Sequence, residues 1–192
     1  MVAILIPAAG ASSRMRGRDK LLEPVNGRPL LAEMAARALP HGRVIVTLPG
    51  PDHARAAVLP GGVEVVPVPD HATGLSASLR RAAAVTGDDL MVLLPDMPGI
   101  DSRDIGTLIA VRQSEPGARI WQAATADGMP GHPLIFHASL VPQFADLTGD
   151  SGAAEVVKRH RDRRVLVPLA GDRARADLDT PEAWAAWRAR QH

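Results

Sequence analysis

The chain has 192 residues, 46% hydrophobic and 22% charged, enough for one full core, and a single α/β domain spanning 1–192 is expected. The 22 Lys and Arg nearly balance the 21 Asp and Glu, a formal net charge of +1, so nothing advertises nucleic acid or a membrane surface. Cysteine is absent, which excludes a disulfide framework, a thiolate metal site and a cysteine nucleophile, and suits a reducing cytoplasm.

The first apolar run, residues 2–6, is too short for a signal-peptide core and has no basic stretch before it. No segment approaches the roughly 20 apolar residues that a membrane helix needs, so a soluble, cytoplasmic protein is expected. Residues 2–6 read instead as a buried strand, as do 43–48, 63–66, 90–94, 119–123, 133–136 and 164–167. Their near-continuous apolar character is what a sheet covered on both faces demands. Between them, residues 29–39 begin with proline and place Leu30, Leu31, Met34, Ala35 and Ala38 on one side of a helix. Residues 74–85 carry Leu75, Leu79, Ala82 and Ala83 at helical spacing, and 101–112 open on Asp101 as a cap and bury Ile105, Leu108 and Ile109. Further helices are expected at 138–146, 152–160 and 181–190, the last packing through Trp184 and Trp187. Strand and helix alternate, so the fold expected is a three-layer α/β/α sandwich with a mostly parallel sheet. In such sheets ligands bind beyond the carboxyl ends of the strands, near the reversal of strand order. That directs attention to the loops at 7–20, 71–76 and 95–99.

The first of these loops follows a strand at once. Pro7, Ala8, Ala9, Gly10, Ala11, Ser12 and Ser13 are small enough for the backbone to approach a ligand and aim its N–H groups at anionic oxygens. Arg14, Arg16, Arg18 and Lys20 then concentrate positive charge, for which a phosphate chain is the matching partner. Neither G-x-x-x-x-G-K-[ST] nor G-x-G-x-x-G is present, so this is neither a Walker loop nor a dinucleotide fingerprint. A solvated basic loop remains the plainer alternative.

Run 90–94 leads into Pro95-Asp96-Met97-Pro98. A carboxylate held between prolines at the end of a buried strand points into the ligand crevice, and Mg²⁺ needs only one or two carboxylates besides phosphate oxygens and water. Asp96 as a simple turn cap is the competing reading. The histidines show no metal-ligand spacing such as H-E-x-x-H, and the tryptophans form no stacking platform for nucleic acid.

The opening loop, followed by Lys20-Leu21-Leu22 and Gly27-Arg28-Pro29-Leu30-Leu31, resembles the signature of the MobA-like nucleotidyltransferases. It departs from that signature in having Pro7 for Leu and an extra residue at Arg16. The Asp96-Met97-Pro98 turn resembles the family's metal-binding motif, and Asp177-Leu178-Asp179-Thr180-Pro181-Glu182 resembles a late segment that completes the metal shell. The resemblance therefore implies Mg²⁺ on Asp96 and Asp179, with Asp177 in reserve, and catalytic roles for Arg14, Lys20 and Asp96. It implies nucleotide contacts from residues 7–12, Arg14, Lys20, Gly74, Leu75, Ser76 and Asp96, since Thr73-Gly74-Leu75-Ser76 matches a further motif. The plainer readings of these late and middle segments stay open: a helix start at Thr180, and caps at Ser76 and Ser78.

Gly128-Met129-Pro130-Gly131-His132-Pro133 resembles a turn bordering the family's acceptor pocket, which implies His132 as an acceptor contact, against an ordinary turn histidine. Gly149-Asp150-Ser151-Gly152-Ala153-Ala154 resembles another family turn but has Ala154 where an arginine is usual. Ala8-Ala9-Gly10 and Thr73-Gly74-Leu75-Ser76 place the nearest likeness among molybdenum cofactor cytidylyltransferases, whose fold is the Rossmann-like one of nucleotide-diphospho-sugar transferases. The implied reaction moves NMP from an NTP, CTP ahead of GTP, to a phosphorylated small molecule such as the molybdenum-pterin cofactor. Hand-off of the product to a molybdoenzyme or its chaperone is implied as well. Two rivals remain: a sugar or polyol phosphate acceptor, and a nucleotide-binding regulator without turnover.

Overall fold

The seven apolar runs become seven strands of one sheet: β1 (Val2–Pro7), β2 (Arg43–Leu48), β3 (Val63–Pro67), β4 (Asp89–Val92), β5 (Ile120–Ala124), β6 (Pro130–Phe136) and β7 (Arg164–Pro168). The structure is a computed structural model that describes residues 1–11, 15–149 and 152–190. Ser12, Ser13 and Arg14 of the opening loop, and Asp150 and Ser151, lie outside the described residues.

The strand order is β3-β2-β1-β4-β6-β5-β7. Every neighbouring pair is parallel except those made by β6, which runs antiparallel to both β4 and β5. Alternate side chains feed two cores. Ile4, Ile6, Val44, Val46, Met91 and Trp121 point to one face, and Ala3, Leu5, Ile45, Leu90, Val92 and Phe136 to the other. The first face is covered by α1 (Leu30–Ala38), α3 (Ser102–Ser114) and α5 (Pro181–Ala189), which bring Leu30, Leu31, Met34, Ile105, Leu108 and Trp184. The second is covered by α2 (Leu75–Val85), α4 (Ala154–Arg159) and the 3₁₀ turn Val141–Asp146, with Leu79, Ala82, Val156 and Phe144. Burial on both sides is why the strands read as unbroken apolar runs. Among the described residues no helix is long and apolar enough to cross a membrane.

Two helices are shorter than their sequence spacing predicts. Over 138–146 only Val141–Asp146 is helical, and it is 3₁₀. The preceding N–H groups are taken elsewhere: Ala138 donates to Asp89 Oδ1 at 2.8 Å, Ser139 to His137 Nδ1 at 3.1 Å and Leu140 to the His137 carbonyl at 2.8 Å. Over 152–160 the helix begins at Ala154, because Gly152 sits at φ +55° in the left-handed region. Asp101 caps α3 as expected, accepting from the N–H groups of Arg103 and Asp104 while Asp104 returns the bond.

The topology fixes where a ligand can sit. From β1 the chain steps outward to β2 and β3, then crosses back to β4 on the other side of β1. The crevice beyond the carboxyl ends of β1 and β4 is therefore the reversal point, where the chain leaves β1 at Ala8 and β4 at Leu93.

The two-faced core makes a stability prediction. Phe136 is fully buried, edge-on to Phe144 with ring centroids 5.0 Å apart. Phe136→Ala should cost about 3–5 kcal/mol in denaturant unfolding. Leu166→Ala, on the exposed side of β7, should change stability by no more than about 0.5 kcal/mol. Equal costs would contradict this placement of the cores.

Candidate active site

The loop after β1 first continues the sheet. Pro7 still pairs with Thr47, and the Ala8 N–H donates to the Thr47 carbonyl at 3.0 Å. Ala8 and Ala9 are buried, the Ala9 methyl packing against Val68 and Ala77. Gly10 and Ala11 are exposed. Among the described residues none accepts from the N–H groups of Ala9, Gly10 or Ala11. The extra residue, Arg16, adopts φ +52° and reaches Glu182 of α5 at 2.7 Å. The loop closes in a 3₁₀ turn, Lys20–Leu22, capped by Asp19, whose Oδ1 accepts from the Leu21 N–H at 3.0 Å.

Three of the residues singled out in the sequence meet. Lys20 Nζ lies 2.6 Å from Asp96 Oδ2 and 2.5 Å from Asp179 Oδ1. Asp96 is placed by the turn after β4, and Asp179 by the return segment 169–180, whose Leu178 N–H donates to the Asp96 carbonyl at 2.9 Å. Asp177 is exposed, whereas Asp179 is half-buried at the lysine. Burial opposes the Lys20 charge, but the Asp96 and Asp179 carboxylates outweigh it and hold its pKa above the usual lysine value.

The donor set suits a hard divalent cation. Two carboxylates share one ammonium, and the buried Asp96 Oδ1 has no hydrogen-bond partner. Among the described residues no three His, Asp or Glu groups converge. A metal held by Asp96 and Asp179 would therefore fill its shell from ligand oxygens and water, as Mg²⁺ habitually does.

His132 borders the same centre. Burial lowers its pKa, and although the Asp96 and Asp177 charges oppose this, the ring is neutral at neutral pH. Its buried Nδ1 has no hydrogen-bond partner. The residue belongs to a cavity of about 520 Å³ that also touches Leu75, Gln122, Phe136 and Ala154. Among the described residues Lys158, Arg161 and Arg164 line this cavity and no Asp or Glu does. These cations were missed in the sequence, where attention fell on the arginine absent at Ala154. Their spacing just downstream is the signal that could have found them.

Gly74, at φ +100°, makes the turn into α2. Ser76 is fully buried, gives its N–H to the Gly149 carbonyl at 3.3 Å and receives Arg80 on its hydroxyl at 3.3 Å. Its role is to seat the 147–149 turn on the helix start, because a buried hydroxyl needs an internal partner. Arg80 in turn ties Asp70 (2.8 Å) to the Leu147 carbonyl (2.6 Å). A second cavity, of about 440 Å³, opens beside Ala9, Gly10, Ala11, Arg18 and His71 and is floored by Arg55, another residue the sequence did not flag.

Residues 4–165 match the sequence profile described as the MobA-like NTP transferase domain. A molybdenum cofactor guanylyltransferase of Xanthomonas euvesicatoria pv. vesicatoria is 36% identical over 94% of this chain and 91% of its own length. A nicotine blue oxidoreductase of Paenarthrobacter nicotinovorans is 29% identical over 91% of this chain and 90% of its own. The crystal structure of Rv0371C from Mycobacterium tuberculosis H37Rv in complex with manganese superposes with a TM-score of 0.74 at 27% identity, covering 96% of each chain.

The lysine–carboxylate centre yields a test independent of turnover. Lys20→Met leaves two carboxylates facing each other unneutralised and should lower the melting temperature. Millimolar Mg²⁺ or Mn²⁺ should then raise the melting temperature of the variant more than that of the parent, because binding stabilises the folded state by mass action. No metal-dependent shift in either protein would remove the metal from this centre.

Proposed function

The chain belongs to the MobA-like NTP transferase family, and we propose that it moves a nucleoside monophosphate, CMP from CTP in preference to GMP from GTP, onto a phosphorylated acceptor. The observation that carries this reading is the meeting of Lys20, Asp96 and Asp179 at the sheet's reversal point, in a chain whose loop after β1 leaves the N–H groups of residues 9–11 without acceptors among the described residues.

A phosphate oxygen of the acceptor forms a bond to the α-phosphorus, the α–β bridging P–O bond breaks, and pyrophosphate leaves. The acceptor phosphate is largely ionised at neutral pH, so no residue need remove a proton from it. Both reactants are anionic, and the protein's task is positioning and charge neutralisation. The N–H groups of Ala9, Gly10 and Ala11 receive phosphate oxygens. Lys20 is poised to exchange its carboxylates for the α-phosphate and the departing pyrophosphate. Arg14, outside the described residues, keeps the phosphate-binding role read from the sequence. Asp96 and Asp179 would hold a divalent cation, Mg²⁺ in this reading, which when bound supplies further neutralisation of phosphate charge.

The acceptor side draws on the 520 Å³ cavity. His132 offers an uncharged ring with an unused nitrogen, and Lys158, Arg161 and Arg164 supply the positive charge that Ala154 lacks. The Leu75, Leu134 and Phe136 side chains form an apolar wall that suits a flat, weakly hydroxylated body more than a sugar or polyol. A phosphorylated pterin carrying molybdenum fits that description, in keeping with the name of the guanylyltransferase relative. CTP is favoured on the likeness of Ala8-Ala9-Gly10 and Thr73-Gly74-Leu75-Ser76 to the cytidylyltransferase branch of the family.

Pyrophosphate release measured with each NTP, with and without molybdenum-pterin acceptor and Mg²⁺, tests the whole reading. CTP with acceptor should give the highest rate. Asp96→Asn and Lys20→Ala should each lower the rate about 10²–10³-fold while circular dichroism stays that of a folded protein. Near-normal turnover in Asp96→Asn would remove the metal role, and release without acceptor dependence would remove the transfer reaction.

A further inference from the structure

Arg55 is 2% exposed and sits in a short 3₁₀ stretch, Ala54–Val58, after β2. Burying a guanidinium is costly unless its donors are satisfied, so its partners show what the burial serves. Nε and Nη2 grip both carboxylate oxygens of Asp19 at 2.7 and 2.8 Å, a two-pronged pair. Nη1 donates to the carbonyls of Ala8 at 2.6 Å and Gly10 at 2.7 Å. One side chain from the β2 loop therefore holds both ends of the loop that follows β1.

Each contact has a geometric consequence. Across a trans peptide the carbonyl of one residue and the N–H of the next point in opposite directions. With the Ala8 and Gly10 carbonyls turned onto the guanidinium, the Ala9 and Ala11 N–H groups are turned away from it. Among the described residues those N–H groups have no acceptor. At the other end, the Asp19 carboxylate that Arg55 grips also caps the Lys20–Leu22 turn through the Leu21 N–H at 3.0 Å. That turn starts at Lys20, whose ammonium stands between Asp96 and Asp179.

We infer that Arg55 is a positioning residue which turns the Ala9 and Ala11 N–H groups away from itself, leaving them for a ligand, and fixes Lys20 relative to them, without itself touching the reacting atoms. The inference rests on the reading that this loop receives a triphosphate. It concerns a residue for which that reading has no role. Lysine cannot replace the arginine: a single ammonium cannot grip the carboxylate side-on while serving two carbonyls in other directions.

The test has two arms. In the kinetic arm, Arg55→Lys should lower kcat/KM for the NTP about 10²-fold, in both kcat and KM, with the acceptor KM unchanged, because a misplaced loop penalises bound nucleotide and chemistry together. Millimolar guanidinium should restore part of the activity of Arg55→Ala. A purely structural role would lower the melting temperature but leave the kinetic constants of the folded protein alone, and that result would overturn the inference. In the second arm, without nucleotide, hydrogen exchange in peptides spanning residues 8–20 should quicken in Arg55→Lys while the β4 and β6 peptides keep their protection. Unchanged exchange over 8–20 would equally overturn it. If the parent protein releases no pyrophosphate with any NTP, the proposed reaction fails and the exchange arm alone decides the clamp. If Arg55→Lys does not fold, Asp19→Asn removes the other half of the same grip and is read by the same two measurements.

Discussion

One ammonium between two carboxylates organises the crevice. Lys20, Asp96 and Asp179 come from three separate stretches of chain, and each is delivered by a different device: a capped turn, a strand end and a return segment. Two carboxylates drawn to one point repel each other, and a cation between them relieves that repulsion. In the structure the lysine is that cation. If a divalent cation were bound, Asp96 and Asp179 would be the carboxylates to hold it, and the Lys20 ammonium would then be released from them.

Most of the architecture was legible because burial on both sheet faces writes itself into sequence as unbroken apolar runs, and all seven runs are strands. The alternation of strands and helices gave the three layers, and two of the loops singled out, 7–20 and 95–99, meet through Lys20 and Asp96. Helix ends were less legible. At 138–139 the backbone N–H groups bond to Asp89 and His137 ahead of the 3₁₀ turn, and Asp89 is remote in sequence from that turn. Lys20, Asp96 and Asp179 could be named from motifs, since each sits in a run of turn-forming residues. Arg55 could not: an isolated arginine after a strand looks like any surface cation, and only the fold brings Asp19 and two carbonyls within its reach.

Two departures from the family pattern acquire physical sense in the fold. The extra residue at Arg16 takes up a left-handed conformation and spends its charge on Glu182, beside the start of α5, leaving Lys20 in place at the carboxylates. The insertion is absorbed on the surface. Ala154 removes a charge from the wall of the larger cavity, but Lys158, Arg161 and Arg164 stand around the same space. Cationic character there is a property of the wall as a whole, which is why a single missing arginine is a poor guide to what the cavity accepts. Ser76 shows the converse, a residue within a matching motif that is turned inward to support a neighbouring turn.

The return segment that carries Asp179 is pinned to β6 at a point with no spare room. The His132 N–H donates to the Ala174 carbonyl at 2.7 Å, and a methyl group placed on Gly131 would stand only 1.9 Å from that same oxygen. Any larger residue at position 131 would push β6 and the return segment apart at Ala174, five residues ahead of Asp179, so the space left to one backbone atom governs how the far carboxylate is held.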